Sequence, residues 1–194
     1  MFLQLTAKQV ASWLIQGGSI TEEERELYEF GLDKLFSTLT NFIIVMCFGL
    51  LLGIPFQILV FYLTYCMLRA YAGGYHADKP LNCFFLSIGA MIPLLVAIRF
   101  QQAWNRPIVF YCLLGLGIIN LIVLGPVENK NKLLEGLEKT VYRRRLLRNL
   151  AFILVGAIVL SELSLYDYSV AVLCGILLSS ITAAAGKVKL SIDV

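Results

Sequence analysis

The chain is poor in charge and nearly devoid of histidine. Of its 194 residues, 15% are Asp, Glu, Lys or Arg, and a single histidine is present. Soluble domains ordinarily carry roughly 25% charged residues. Here 59% of the residues are apolar, more than the interior of a soluble domain this long can hide. The shortage of charge excludes an ordinary soluble enzyme and implies a polytopic membrane protein, expected as one domain over 1–194. One histidine cannot build a zinc site at the usual spacings, and the five cysteines include no CxxC pair. Their odd number also argues against a disulfide framework. No metal and no cofactor is expected. The start has no basic n-region, no continuous apolar core and no small-residue cleavage site, so no signal peptide is expected to be removed. The basic residues lie beside apolar runs without a recognisable reader fold, which excludes nucleic acid as the partner.

Apolar runs are plentiful. Six of them, near Phe36–Gly53, Phe56–Ala72, Leu81–Ile98, Pro107–Gly125, Asn149–Leu165 and Tyr168–Gly186, have about the length needed to cross a bilayer. The fold class is therefore all-α and polytopic, with a six-helix core over 36–186. Gly53, Ile54 and Pro55 separate the first two runs as a tight hairpin. Lysine and arginine placement sets the orientation. With the N-terminus inside, fourteen basic residues fall on the inner side and only Arg99 and Arg106 on the outer side. Both termini, the segment 73–83 and the basic loop 126–148 are then expected at the cytoplasmic face.

The N-terminal region 1–34 precedes the first run. Leu3, Val10, Trp13 and Leu14 recur at helical spacing over Met1–Gln16, the pattern of an amphipathic helix lying in the membrane interface. Gly17 and Gly18 end it, and Thr21 with Glu24 fits a capping box for a second helix. Cys47, Cys66, Cys112 and Cys174 lie within apolar runs and are expected as small buried hydrophobes.

Cys83 differs, since a polar break containing His76 and Pro80 precedes it. On one straight helix His76 and Cys83 would share a face, with backbones roughly 10 Å apart along the axis. Pro80 inside such a helix would clash with the carbonyl of His76. Pro80 is instead expected in the first turn of the third span, capped by Asp78 or Lys79. That puts Cys83 at a helix start, where free amides and the positive dipole end favour negative charge. His76 then lies on a loop able to fold back toward the sulfur. Thiol and imidazole together suffice for nucleophilic acyl transfer. Gly73 and Gly74 permit backbone conformations closed to other residues, and their amides could face an oxyanion.

Other polar residues have two readings each. Arg69 either supports this chemistry or extends its head to the lipid headgroups. Glu128 either orients the imidazole or pairs with Lys130 or Lys132 on its own loop. Ser87 either lines the site or bonds its own helix backbone. Arg143, Arg144, Arg145 and Arg148 hold anionic lipid and set topology, at about 1 kcal/mol each, and the same field could draw in an acidic substrate segment together with Lys130 and Lys132. The main alternative to an enzyme is a small peptide transporter or export partner. Against ion coupling, no charged residue sits near the centre of an expected span.

Arg69, Gly73, Gly74, His76 and Ala77, followed by Cys83 and Ser87, resemble the signature of the AgrB family of bacterial accessory gene regulator proteins. The loop Pro126–Lys132, the chain length and the six-run layout are similar to that family as well. The resemblance implies a membrane cysteine endopeptidase with His76 and Cys83 as its catalytic pair. Its implied substrate is a quorum-sensing propeptide of the AgrD type, cleaved at its C-terminal tail and closed into a thiolactone. It further implies membrane lipids as surroundings and a homodimer as the assembly.

Overall fold

The computed structural model describes residues 2–75, 80–103, 106–128 and 136–192. Among them the chain is all-helical. Seven α-helices run in order, α1 (Phe2–Gln16), α2 (Arg25–Leu51), α3 (Pro55–Ala72), α4 (Pro80–Arg99), α5 (Pro107–Leu124), α6 (Gly136–Glu162) and α7 (Tyr166–Ile192), with one 3-10 turn at Gln101–Ala103. Each of the six apolar runs falls on its own helix from α2 to α7. Four helices, α2, α4, α5 and α7, are long and apolar enough to cross a membrane. α3 and α6 fall short in composition: α3 carries Gln57, Arg69 and three tyrosines, and α6 is basic through its first half.

The contacts divide the chain into two compact units, Met1–Cys47 and Phe48–Val194. In the first, α1 buries Ala7 and Ala11, one turn apart, while Trp13 is 74% exposed. Of the apolar positions read from the sequence, Val10 and Leu14 are partly covered and Trp13 is open. Small alanines take the packed side, and Trp13 is left outward, as suits an interfacial aromatic. Arg25 joins the two helices of this unit: it donates to the Ser12 hydroxyl at 3.1 Å and to the carboxylates of Glu22 at 2.7 Å and Glu29 at 3.0 Å. Ahead of α2, the Glu24 carboxylate accepts from the Thr21 amide at 3.0 Å and from its hydroxyl at 3.1 Å.

In the second unit α7 is the central rod, packing against α3, α4, α5 and α6. Of its apolar stretch 72% is buried, against 17% for α4 and 11% for α5. An apolar helix with its faces open is matched to hydrocarbon, while one enclosed by its neighbours is the core. Small residues set the closeness of approach. A Cβ on Gly175 would stand 2.8 Å from the Thr64 side chain, and one on Gly117 would stand 3.0 Å from Ile176. α6 presents Leu146, Leu150, Ile153 and Ala157 as one buried stripe, and Asn149 fixes its register by donating to the Met67 carbonyl of α3 at 3.1 Å. At the opposite end of the bundle, Gln101 donates to the Asp167 carboxylate at 2.5 Å.

The hairpin between α2 and α3 closes as expected. Gly53 takes φ +72°, its amide bonds Leu50 O at 3.1 Å and the Ile54 amide bonds Gly49 O at 3.0 Å. That pair of bonds satisfies the last carbonyls of α2, and Pro55 then opens α3. Two boundaries differ from the sequence reading. α2 runs unbroken from Arg25 into its apolar stretch, and α6 runs unbroken from Gly136, so the later part of the basic loop is a helical extension of the fifth run. No proline lies between Gly136 and Glu162 to interrupt it. Of the four cysteines expected to be buried, only Cys174 is; Cys66 is partly covered, and Cys47 and Cys112 are exposed.

The Thr21–Glu24 clasp generates a pH prediction. Hydrogen bonds from Thr21 hold the Glu24 carboxyl below the ordinary glutamate range. A lowered folded-state value means that the clasp contributes above that range and is lost as the pH falls through the lowered value. Hydrogen-exchange protection of the Thr21 amide should therefore drop on acidification, and Glu24→Gln should show no such pH step.

Candidate functional site

Cys83 is the fourth residue of α4, which begins at Pro80 as the sequence predicts. Its thiol is free and partly accessible. The Ser87 hydroxyl donates to the Cys83 carbonyl at 2.8 Å, so Ser87 bonds its own helix. An open groove of about 590 Å³ runs along α4, lined by Asn82, Phe85, Leu86, Gly89 and Ala90. His76, Asp78, Lys79, Lys130 and Lys132 lie outside the described residues.

The turn that leads toward His76 is built from three directions. α3 ends where Gly73 and Gly74 take φ +69° and +131°, regions that other residues avoid. From the loop after α5, the Val127 amide donates to Ala72 O at 2.8 Å, and Gly73 and Val127 form an isolated parallel bridge. From α7, Thr182 O accepts the Tyr75 amide at 2.8 Å. From within α3, the Arg69 guanidinium donates to Gly73 O and, at 2.6 Å, to Tyr75 O. Arg69 therefore points at backbone carbonyls of the turn. The fit is too close for side chains: a Cβ on Gly74 would fall on the Arg69 guanidinium and 2.6 Å from Thr182 O. A Cβ on Gly186 would lie 2.5 Å from the Gly74 carbonyl carbon. Beyond it, the Lys189 ammonium sits 5.2 Å from the centre of the Tyr75 ring.

The remaining candidates are spread out. Glu128 pairs with Lys139 at 2.7 Å, so its partner comes from α6, several residues beyond the loop lysines considered above in the sequence. Arg143, Arg144, Arg145 and Arg148 are exposed along the first half of α6. Arg143 reaches the Ile122 carbonyl at 3.5 Å, at the end of α5. Arg145 lies 5.8 Å from the centre of the Tyr71 ring, which itself meets Tyr142 edge-on. This leaves a basic surface on the same helix that carries Lys139. Among the described residues no cluster of His, Cys, Asp and Glu could hold a metal ion.

Sequence reasoning missed Val127, Thr182 and Gly186. Val127, Thr182 and Gly186 act through backbone atoms or through lacking a side chain, and nothing near them in the sequence marks that use.

The crowding predicts unequal effects of two Gly-to-Ala changes. Gly74→Ala meets both a forbidden φ and occupied space, and should cost about 1–3 kcal/mol. Gly89→Ala adds a methyl to open space on a helix and should be neutral or stabilising by roughly 0.5–1 kcal/mol. Thermal unfolding in detergent should separate the two, with a lowered Tm for Gly74→Ala alone.

With this geometry in view, the chain can be set beside known proteins. The sequence pattern of the family Accessory gene regulator B matches residues 7–183. AgrB-like protein 2 of Clostridium perfringens (strain 13 / Type A) is 28% identical over 137 residues, covering 66% of this chain and 61% of the relative. An AgrB-like protein of Listeria monocytogenes serotype 4b (strain CLIP80459) is 27% identical over 124 residues, covering 63% and 60%. Another, of Listeria innocua serovar 6a, is 26% identical over 137 residues, covering 71% and 63%. The chain thus spans about three-fifths of the length of the curated relatives it matches. No solved structure matches it. The matched stretch begins in α1, takes in the Gly73–Tyr75 turn and Cys83, and ends within α7; this chain belongs to the accessory gene regulator B family.

Proposed function

We propose that this protein is a membrane cysteine endopeptidase that removes the C-terminal tail of an AgrD-like propeptide and promotes closure of a thiolactone ring. The observation that carries the reading is the position of Cys83. It is a free, partly accessible thiol on the first turns of a proline-started helix, and the turn that precedes His76 in the chain is gripped by Arg69. Family membership supports an accessory gene regulator role for the chain.

In this mechanism His76 takes the Cys83 proton and the sulfur attacks a carbonyl near the end of the propeptide. The tetrahedral oxyanion collapses, the C–N bond breaks, and the tail leaves as an amine carrying the proton returned by His76. The signal segment remains as a thioester on Cys83. A cysteine thiol of the substrate then attacks that thioester, forming the ring and freeing Cys83; a serine would give a lactone. Water would yield a linear peptide instead, so the site must limit its access. Exchange of an amide for a thioester is uphill, and removal of the tail or of the cyclic product draws it forward.

Gly73, Gly74 and Arg69 serve this site by shaping the turn, and Glu128 and Ser87 stand at its margins. The substrate leader, amphipathic in this family, lies in the same interface as α1. Its acidic tail is drawn to Lys130, Lys132, Arg143, Arg144, Arg145 and Arg148 by charge. Six spans, with both termini and the site at the cytoplasmic face of a bacterial membrane, fit the fourteen-to-two bias of basic residues, and the working assembly is a homodimer among lipids. A transport pathway has less support: the Ser179 hydroxyl bonds its own helix at Gly175 O, 2.9 Å away, and Thr64 packs on Gly175, so neither lines a channel.

In membranes reconstituted with propeptide, Cys83→Ala and His76→Ala should each reduce tail release by at least 10³-fold while the protein stays folded in the bilayer. Tail release by Cys83→Ala at the unmodified rate would refute the assignment.

A further inference from the structure

The four arginines of α6 do not share a face. The helix buries Leu146, Leu150, Ile153 and Ala157 as one stripe against the bundle. Arg144 and Arg148 stand about 150° and 170° round the helix from the centre of that stripe, on its outermost face. Arg143 and Arg145 stand on the flanks, where Arg143 reaches the Ile122 carbonyl of α5 and Arg145 the Tyr71 ring of α3. The flanking pair is therefore engaged by neighbouring helices, while Arg144 and Arg148 are exposed on the side away from them. Like charges one turn apart destabilise a helix, and α6 has no Asp or Glu between Glu138 and Glu162 to offset this pair.

The same outermost face continues past Arg148 as Phe152, Val155 and Val159, which are 70%, 61% and 51% exposed. From Arg148 to Val159 the helix rises about 16 Å, close to half of a hydrocarbon core about 30 Å thick. Two guanidiniums at the head of an apolar strip of that length match one lipid molecule, with its phosphate on the arginines and its chain along the strip. We infer that Arg144 and Arg148 bind the phosphate of an anionic phospholipid whose acyl chain lies along Phe152, Val155 and Val159. The inference rests on the six-span reading above, because the strip meets an acyl chain only if the second half of α6 is in the bilayer. It narrows lipid binding from the whole basic cluster to the two arginines that face away from the bundle.

The test is a lipid titration of the purified full-length protein in neutral detergent, read by native mass spectrometry. Phosphatidylglycerol and phosphatidylcholine with the same acyl chains are compared. The unmodified protein should bind its first phosphatidylglycerol about 30-fold more tightly, roughly fivefold from each arginine at a lipid headgroup. Arg144→Gln combined with Arg148→Gln should bring the two lipids within about threefold of each other. Arg144→Lys combined with Arg148→Lys keeps both charges and should hold the preference above about tenfold. Arg143→Gln combined with Arg145→Gln should change it by less than about twofold. Equal binding of the two lipids by the unmodified protein, an equal loss in the flanking pair, or displacement of phosphatidylglycerol by inorganic phosphate or an acidic peptide overturns the inference. In nanodiscs, a water-soluble maleimide should label Leu137→Cys readily and Val155→Cys hardly at all. Equal labelling of the two would sink the span reading for α6, and the inference with it.

Discussion

The second unit of this protein depends on one backbone-to-backbone contact. Gly186 of α7 lies against the Gly74–Tyr75 peptide, and the Tyr75 amide is bonded to Thr182 O one turn earlier on the same helix. No side chain intervenes, so the turn after α3 sits directly on the most buried helix of the bundle. Val127 adds a second support from the loop after α5, and Arg69 a third from α3. A turn with two residues at positive φ would ordinarily be a soft element. Here it is fixed because each bordering element contributes a hydrogen bond or a close wall.

The rest of the unit follows from supplying such a turn in an apolar solvent. α7 must be enclosed to act as a platform, and its small residues let α3 and α5 come close. α5 and α4 then turn apolar faces outward, which hydrocarbon tolerates and water would not. Polar side chains inside the helices mostly bond neighbouring backbone, as Ser87, Ser179 and Asn149 do. Arg69, Lys139, Lys189 and the arginines of α6 collect at one end of the bundle, while Asp167 lies at the other with Gln101.

Much of the fold was legible because its signals are local. Run length located all six helices of the apolar region, Pro55, Pro80 and Pro107 marked three helix starts, and Gly53 marked a helix end. Where the sequence reading slipped, no breaker separated an amphipathic stretch from the apolar run after it, as at Gly136 and Arg25. The candidate site was half legible. Cys83, Gly73, Gly74 and Arg69 stood out by residue type at an unusual break. Thr182 and Gly186 lie more than a hundred residues later, and only tertiary packing brings them to the turn. The Glu128–Lys139 pair was hidden likewise, because it joins a loop to a helix whose start the sequence did not reveal.

The account stands on Cys83 as the atom that takes the acyl group. Its most direct test is the intact mass of the purified protein after reaction with a propeptide whose ring-forming cysteine is replaced by alanine. With ring closure blocked, the account predicts a hydroxylamine-sensitive adduct, equal in mass to the propeptide without its tail and mapped to Cys83. Tail release without any adduct on Cys83, or an adduct on another residue, would contradict it.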